Sequence, residues 1–309
     1  MIFLPGDKPG SVGALLLEGL PQIRVQPVLY GLADEATGAV RALERENPEI
    51  LIGIPVQLLA MAYCWEQKQT MKWKPRAVLL STDYVPVAVA ATLRRIWGCR
   101  VYAHYGMTEM GFGGGIECDA NDGYHLREAD LYFEIVDPVS GAVMPDGEYG
   151  EVVFTTLTRR GIPLIRYRTG DISRMITEPC LCGSQLRRLE TIRTRKNTAV
   201  SLASGSLTMA DLDEVLFRLP QVIDFTAALS GREKKRLKLA LLVAPGAQLP
   251  DAAEVLQAVR TLPAIKEAEK RRKLILLLAF RFGWRIKPGK RRIYETEGEE
   301  MGKTYDDPY

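Results

Sequence analysis

The chain has 309 residues, enough for one large domain or two smaller ones, and its 47% apolar and 26% charged content is ordinary for a folded, water-facing protein. A net charge of +3 is too small to argue for nucleic acid, and the basic runs EKRRK (269–273) and RIKPGKRR (285–292) read as a solvated face or as contacts with a ligand's phosphates. Pro5, Asp7, Pro9 and Glu18 interrupt what a signal peptide would need, Leu274 to Phe280 is far too short to span a bilayer, and five cysteines do not suit a secreted disulfide framework.

The expected compartment is therefore the cytoplasm, with neither a membrane nor nucleic acid as partner. In chain order, Ala39 to Arg45 predicts an amphipathic helix, EILIGIP a buried strand and VQLLAMAYCWEQ the next helix. RAVLLST is a strand, PVAVAATLRRIWG a helix opened by Pro86 and closed by Gly98, and RVYAHYG a strand. Strands alternating with helices of this length predict βαβ units and a parallel sheet, hence an α/β fold for residues 1–115. From 116 to 192 the pattern turns β-rich, with DLYFEIVDP, EYGEVVFTTL and IPLIRYRTGD separated by turn sequences, which predicts a small antiparallel sheet or barrel. The polar RTRKNT (193–198) is the expected hinge, placed near 193–197. Residues 198–309 read as a small α+β domain: Thr208 and Asp211 in TMAD suit a helix cap, the strands DFTAALS and LKLALLVAP follow, and a helix runs from Pro250 to Leu262.

Three stretches offer chemistry. HYGMTE places Thr108 and Glu109 just past a strand's C-terminal end, where open α/β sheets hold ligands. Thr108 suits a phosphate oxygen, Glu109 a Mg²⁺ ion and Tyr105 the face of a base; the other reading is that Tyr105 is core and Thr108 and Glu109 cap a turn. In YRTGD, Asp171 suits ribose hydroxyls or a turn cap. In KPGKRR, Lys290 reaches from a glycine turn into a cleft or into solvent.

The order YGMTE, YRTGD, polar hinge, glycine–lysine turn resembles the adenylate-forming superfamily, and LLSTDYVP, EYGEVVFTTLTRRGIPLIRYRTGD and PCLCG resemble its phenylacetate–CoA ligase-like branch. The resemblance is strongest from about Ala77 to Gly183. It implies a large AMP-binding domain, here residues 1–192 and partial, followed by a small mobile C-terminal domain. It implies that Ser81, Thr82 and Asp83 line the adenine side with Tyr105 against the base, that Gly106 and Thr108 lie at the phosphates, and that Glu109 holds Mg²⁺. It further implies Asp171 at the ribose, Arg195 before the hinge, and Lys290 assisting adenylation. The implied reaction joins an aryl or otherwise carbon-rich carboxylic acid to ATP and then passes the acyl group from AMP to CoA; adenylylation without CoA transfer belongs to the same fold. Phe112 and the glycines 111–115 would border the acyl pocket, with His104 packed beside the site. A homodimer is compatible with all of this.

Two departures stand out. Neither GDKPGSVGALL nor LASGSLTM has the composition of the family's phosphate loop, so the chain reads as the C-terminal portion of such an enzyme, or as a zinc-stabilised remnant that binds nucleotide or a partner without catalysis. TRKN (194–197) stands where Gly-Arg-x-Asp is usual, with Asn197 in place of a carboxylate. Cys118 and His125 flank DANDGY, and Cys180 and Cys182 flank Leu181. Three thiols and an imidazole make a tetrahedral zinc set, although the spacing alone favours two unrelated loops with small buried thiols. The branch's Cys–His pair and Pro-Cys-x-Cys-Gly turn imply a structural zinc. Cys64 and Cys99 read as core.

Overall fold

The computed structural model describes residues 1–68, 72–111, 113–196, 198–203, 205–286 and 290–296. Phe112 and Asn197 therefore lie outside the described residues, as do residues 287–289 just before Lys290. The chain is mixed α/β and divides into two compact units, 1–197 with 244–246 and 283–290, and 198–243 with 247–282 and 291–309.

In the first unit, β1 (Ile2–Phe3), α1 (Val12–Gly19), α2 (Ala36–Glu46), β2 (Ile50–Gly53), α3 (Pro55–Gln67), β3 (Ala77–Leu80), α4 (Val87–Trp97) and β4 (Arg100–Tyr105) alternate. The four strands pair in parallel in sequence order. Pro55 opens α3, where its missing N–H costs nothing, and Gly98 closes α4 at φ 62°, a left-handed conformation that suits glycine. Every residue from Pro55 to Trp65 is buried, which is why α3 shows little amphipathic pattern. Because the strands are parallel, Ser81 after β3 and Gly106 after β4 emerge at the same edge of the sheet.

Next come β5 (Gly115–Ile116), β6 (Tyr124–Leu126), β7 (Leu131–Val136), β8 (Gly150–Thr156), β9 (Tyr167–Ser173), β10 (Met175–Ile176), β11 (Arg188–Leu189) and β12 (Thr194–Arg195). The expected separate β-rich body is only half of what forms. An eight-stranded sheet runs β1-β2-β3-β4-β5-β6-β11-β10, so the parallel sheet continues across residue 115 into antiparallel strands, while β12-β9-β8-β7 make a second, four-stranded sheet. Two-residue strands such as β5 and β11 carry no periodicity by which a sequence could announce them. The strand expected over IPLIRYRTGD begins only at Tyr167, after Arg166 at φ 50°. In the RTRKNT connection, expected as a hinge or linker, Thr194 and Arg195 pair with Ile172 and Asp171, and the Lys196 amide donates to the Gly170 carbonyl at 2.6 Å. Tyr105, Tyr124, Phe133, Phe154, Met110 and Leu189 belong to one hydrophobic cluster.

The second unit holds β13 (Val200–Leu202), β14 (Gly205–Leu207), α5 (Met209–Leu216), β15 (Val222–Ser230), β16 (Lys235–Val243), α6 (Ala252–Arg260), α7 (Pro263–Lys270), β17 (Leu274–Phe282) and β18 (Ile293–Thr296). Its main sheet runs β17-β16-β15-β18, antiparallel in the middle and parallel at both sides. The Thr208–Asp211 pair forms a full capping box on α5. The single helix expected from Pro250 to Leu262 ends at Arg260, and Pro263 starts a new one. The Arg291 side chain pairs with the buried Asp213 and Asp224, and its guanidinium lies 4.4 Å from the Phe225 ring centroid.

Candidate active site and metal centre

The turn after β4 is a short 3-10 helix over Thr108–Met110. Thr108 is exposed and Glu109 half-buried, with the Glu109 carbonyl accepting from Arg159 Nη2 at 2.7 Å. The Glu109 carboxylate has no ion-pair partner among the described residues, so it is free to serve as a single hard-cation ligand and fits Mg²⁺ in that limited sense. At the end of β3, Ser81 is buried and its hydroxyl lies 2.9 Å from His104 Nδ1. Thr82 holds φ 74°, an uncommon conformation for a β-branched residue. Asp83 accepts from the Tyr84 amide at 2.9 Å.

The glycines 113–115 pack against protein rather than forming an open wall. A Cβ on Gly113 would stand 1.9 Å from His104 Nε2, one on Gly114 2.7 Å from Met110 Sδ, and one on Gly115 2.9 Å from Tyr124 Cβ. The Cβ side of these three glycines is thus occupied by His104, Met110 and Tyr124.

Asp171 draws the sequence motifs together. Its carboxylate accepts from the Tyr105 hydroxyl at 2.9 Å and pairs with Arg195 Nε at 3.2 Å, while its amide donates to Thr169 Oγ1 at 3.0 Å. Arg195 also donates to the Thr169 carbonyl at 2.9 Å. Burial raises the Asp171 carboxyl above the ordinary aspartate value, with Tyr105, Arg195 and Lys290 pulling the other way. Tyr105 is buried, its ring 5.8 Å from that of Tyr124, and burial followed by the Asp171 charge pushes its hydroxyl well up. Lys290 is exposed and groups with the first unit.

Sequence reasoning missed what holds this turn. Glu151 is 3% exposed, accepts the Gly170 amide at 3.2 Å and pairs with Arg168, which fixes Gly170 at φ 78°. A glutamate inside the apolar run EVVFTT was the available signal.

At the other end of β6, Cys118, His125, Cys180 and Cys182 bring their ligand atoms within 4.8 Å of one another. Cys118 and Cys180 sulfurs are 3.6 Å apart, and Cys182 Sγ lies 3.4 Å from His125 Nε2. A tetrahedron with metal–ligand bonds of about 2.0–2.3 Å has edges of roughly 3.5–3.8 Å, so the set fits zinc. His125 is buried, its Nδ1 has no hydrogen-bond partner among the described residues, and Nε2 is the nitrogen that faces the thiols. The Cys180 thiol is brought down to about 6, first by the Cys182 amide and then by the side chains of Cys182, Cys118 and His125. Cys64 and Cys99 are buried elsewhere as free thiols, Cys99 raised to about 11 by burial.

Residues 24–157 match the family model described as AMP-binding enzyme. The phenylacetate-coenzyme A ligase of Aromatoleum evansii is 38% identical over 190 residues, covering 59% of this chain and 42% of that protein. Its namesake from Thermus thermophilus is 35% identical over 121 residues, covering 38% and 27%. The chain thus spans less than half the length of these curated relatives. Among solved structures, a 2-hydroxyisobutyryl-CoA ligase in its postadenylation state superposes with a TM-score of 0.75 at 19% identity, over 97% of this chain and 65% of that one. The chain is thus similar to these phenylacetate-coenzyme A ligases over part of its length and shares the fold of the solved CoA ligase.

Proposed function

We propose that this adenylate-forming, phenylacetate–CoA ligase-like chain is the carboxylate-activating part of an AMP-forming acid–CoA ligase. The observation that carries the reading is the Asp171 carboxylate, held by Tyr105 and Arg195 within the same unit as the Thr108–Glu109 turn. Asp171 would accept hydrogen bonds from ribose hydroxyls, with Ser81, Thr82 and Asp83 on the adenine side and Tyr105 as the residue that orients Asp171. Gly106 and Thr108 would meet the phosphates, and Glu109 would hold Mg²⁺, which supplies charge neutralisation when bound. The substrate carboxylate oxygen attacks the α-phosphorus of ATP, the bond to pyrophosphate breaks, and Lys290 would offset the charge that develops there. The CoA sulfur then attacks the acyl carbon, and AMP leaves with the bonding electrons. The names of the curated relatives favour an arylacetic acid as substrate. Cys118, His125, Cys180 and Cys182 would hold a structural zinc, and thiols that must stay reduced to bind it fit a cytoplasmic location. A homodimer is compatible with this reading.

The test is twofold. Isothermal titration with a non-hydrolysable phenylacetyl-adenylate analogue measures the site itself. Pyrophosphate release from ATP with a panel of carboxylic acids measures turnover. Tight analogue binding with turnover supports the ligase, and Lys290→Ala then suppresses pyrophosphate release while sparing thioester formation from supplied acyl-adenylate. Binding without turnover assigns the chain as a nucleotide-binding remnant, the reading favoured by its lack of a recognisable phosphate-loop sequence. No analogue binding sinks both.

A further inference from the structure

Arg188 is 3% exposed, yet the described carboxylate nearest to it, Asp122, has a side chain that is 65% exposed. Its guanidinium makes three contacts, and they fall on both metal-ligand loops. Nη1 donates to the Asp122 carbonyl and to Asp122 Oδ2, each at 2.6 Å, on the loop between Cys118 and His125. Nη2 donates to the Glu178 carbonyl at 2.7 Å, two residues before Cys180. In the β11–β6 ladder Arg188 stands directly opposite His125. The first loop is drawn close at the next residue too: Gly123 sits at φ 78°, and a Cβ there would lie 2.7 Å from the Leu189 carbonyl oxygen. One side chain therefore spans two loops some sixty residues apart in sequence.

The charge fits as well. A buried guanidinium is costly unless negative charge stands near it, and one largely solvated carboxylate is a weak partner. Three thiolates and a neutral imidazole around Zn²⁺ leave a net negative charge. We propose that Arg188 is a positioning residue for the metal set, clamping the Cys118–His125 and Cys180–Cys182 loops and supplying the counter-charge of the zinc–thiolate centre. The inference rests on the zinc reading given above and adds to it the residue outside the ligand set on which metal retention depends.

Wild type, Arg188→Met, Arg188→Lys and Asp122→Ala are purified with zinc, and zinc content is measured by elemental analysis and zinc loss by transfer to a chromophoric chelator. Loss of an outer contact of this kind weakens metal binding by about 10–100-fold, so R188M should release zinc at least tenfold faster than wild type, with R188K in between and D122A accelerated less than R188M. The melting temperature is also compared with and without zinc. A clamp for the metal narrows the gap between loaded and stripped protein in R188M, whereas a purely structural arginine lowers both by the same amount. Release from R188M at the wild-type rate, or an unchanged gap, overturns the proposal. Should R188M fail to fold, D122A alters only an exposed carboxylate and decides alone: faster release supports the clamp and unchanged release overturns it. A wild-type chain that takes up no zinc overturns the premise itself, a result that elemental analysis separates from failure of the clamp.

Discussion

Asp171 and His125 are equally buried, at 7% exposure each, but their surroundings differ in kind. Asp171 is met by a phenol hydroxyl and a guanidinium, and its amide by a threonine hydroxyl. His125 leaves one ring nitrogen without a partner among the described residues and turns the other toward three thiols. The first cluster is satisfied by the protein's own groups, so its work lies in orientation: a ligand meets a carboxylate already aimed. The second is a converging set of soft donors whose mutual contacts are weak. With the proposed zinc bound, its stability would come from the ion, and loss of that ion should be felt by the fold before it is felt by any reaction.

Removing a thiol should therefore give the largest effect. Cys180→Ser should abolish stoichiometric zinc and lower unfolding free energy by about 4 kcal/mol where free zinc stands a thousandfold above the dissociation constant. Elemental analysis paired with thermal unfolding in the presence and absence of EDTA reads this. If chelation leaves the wild-type melting temperature unchanged, the contrast between the two clusters collapses.

The glycines beside Tyr105 give the next effect. Gly113→Ala combines φ 106° with a Cβ 1.9 Å from His104 Nε2, and should cost about 3 kcal/mol in urea unfolding. Gly111→Ala, at φ 74° with nothing nearer than Arg159 Nη2 at 3.8 Å, should cost only about 1 kcal/mol. Equal costs would mean that the close packing of His104 on Gly113 is not what requires glycine.

The two clusters were also unequally legible. Thr108, Glu109 and Asp171 stand in compact motifs after strand-like runs, so their neighbourhood could be read from order and spacing. Parallel β1–β4 were visible for the same reason, since each strand is bounded by a helix with a recognisable period. The continuation of that sheet through β5, β6, β11 and β10 was not, because these strands have two or three residues and pair at separations of up to sixty-five positions, as Tyr124 does with Leu189. Glu151, Arg188 and the Ser81–His104 pair escaped for a related reason: each acts through a partner that only tertiary folding supplies. The thiol set was legible as a list of donors, but its convergence was a property of the β6–β11 ladder.

Asp171→Asn probes the satisfied cluster. Burial holds the folded carboxyl above the ordinary aspartate value of 3.8, so the folded state keeps its proton to higher pH than the unfolded chain does. The stabilisation this group contributes is fully present below that ordinary value and is lost as pH rises through the folded value. Wild type should therefore lose stability relative to D171N over this rise, and a pH series of urea midpoints reads the slope. Nucleotide-analogue binding should weaken about tenfold, the equivalent of one charged hydrogen bond. Weakened binding without the differential slope would keep the ligand role and reject the burial argument.

Arg195→Met should be the mildest change. The Arg195 side chain is 41% exposed while that of Asp171 is 10% exposed, so water screens one end of the pair and its direct contribution should stay below about 1 kcal/mol and shrink with added salt. The larger consequence is indirect. Arg195 is one of the charges pulling the Asp171 carboxyl down against burial, so its loss should move the pH window of the Asp171 slope upward while barely changing stability at acidic pH, where the carboxyl is protonated in both proteins. Pairing β12 with β9 through the backbone holds Arg195 opposite Asp171 whatever its side chain does, so R195M should leave the strand register intact. A stability loss that persists in acid and ignores salt would show that Arg195 serves the β12 strap through its bond to the Thr169 carbonyl, and that the carboxylate beside it is oriented by Tyr105 alone.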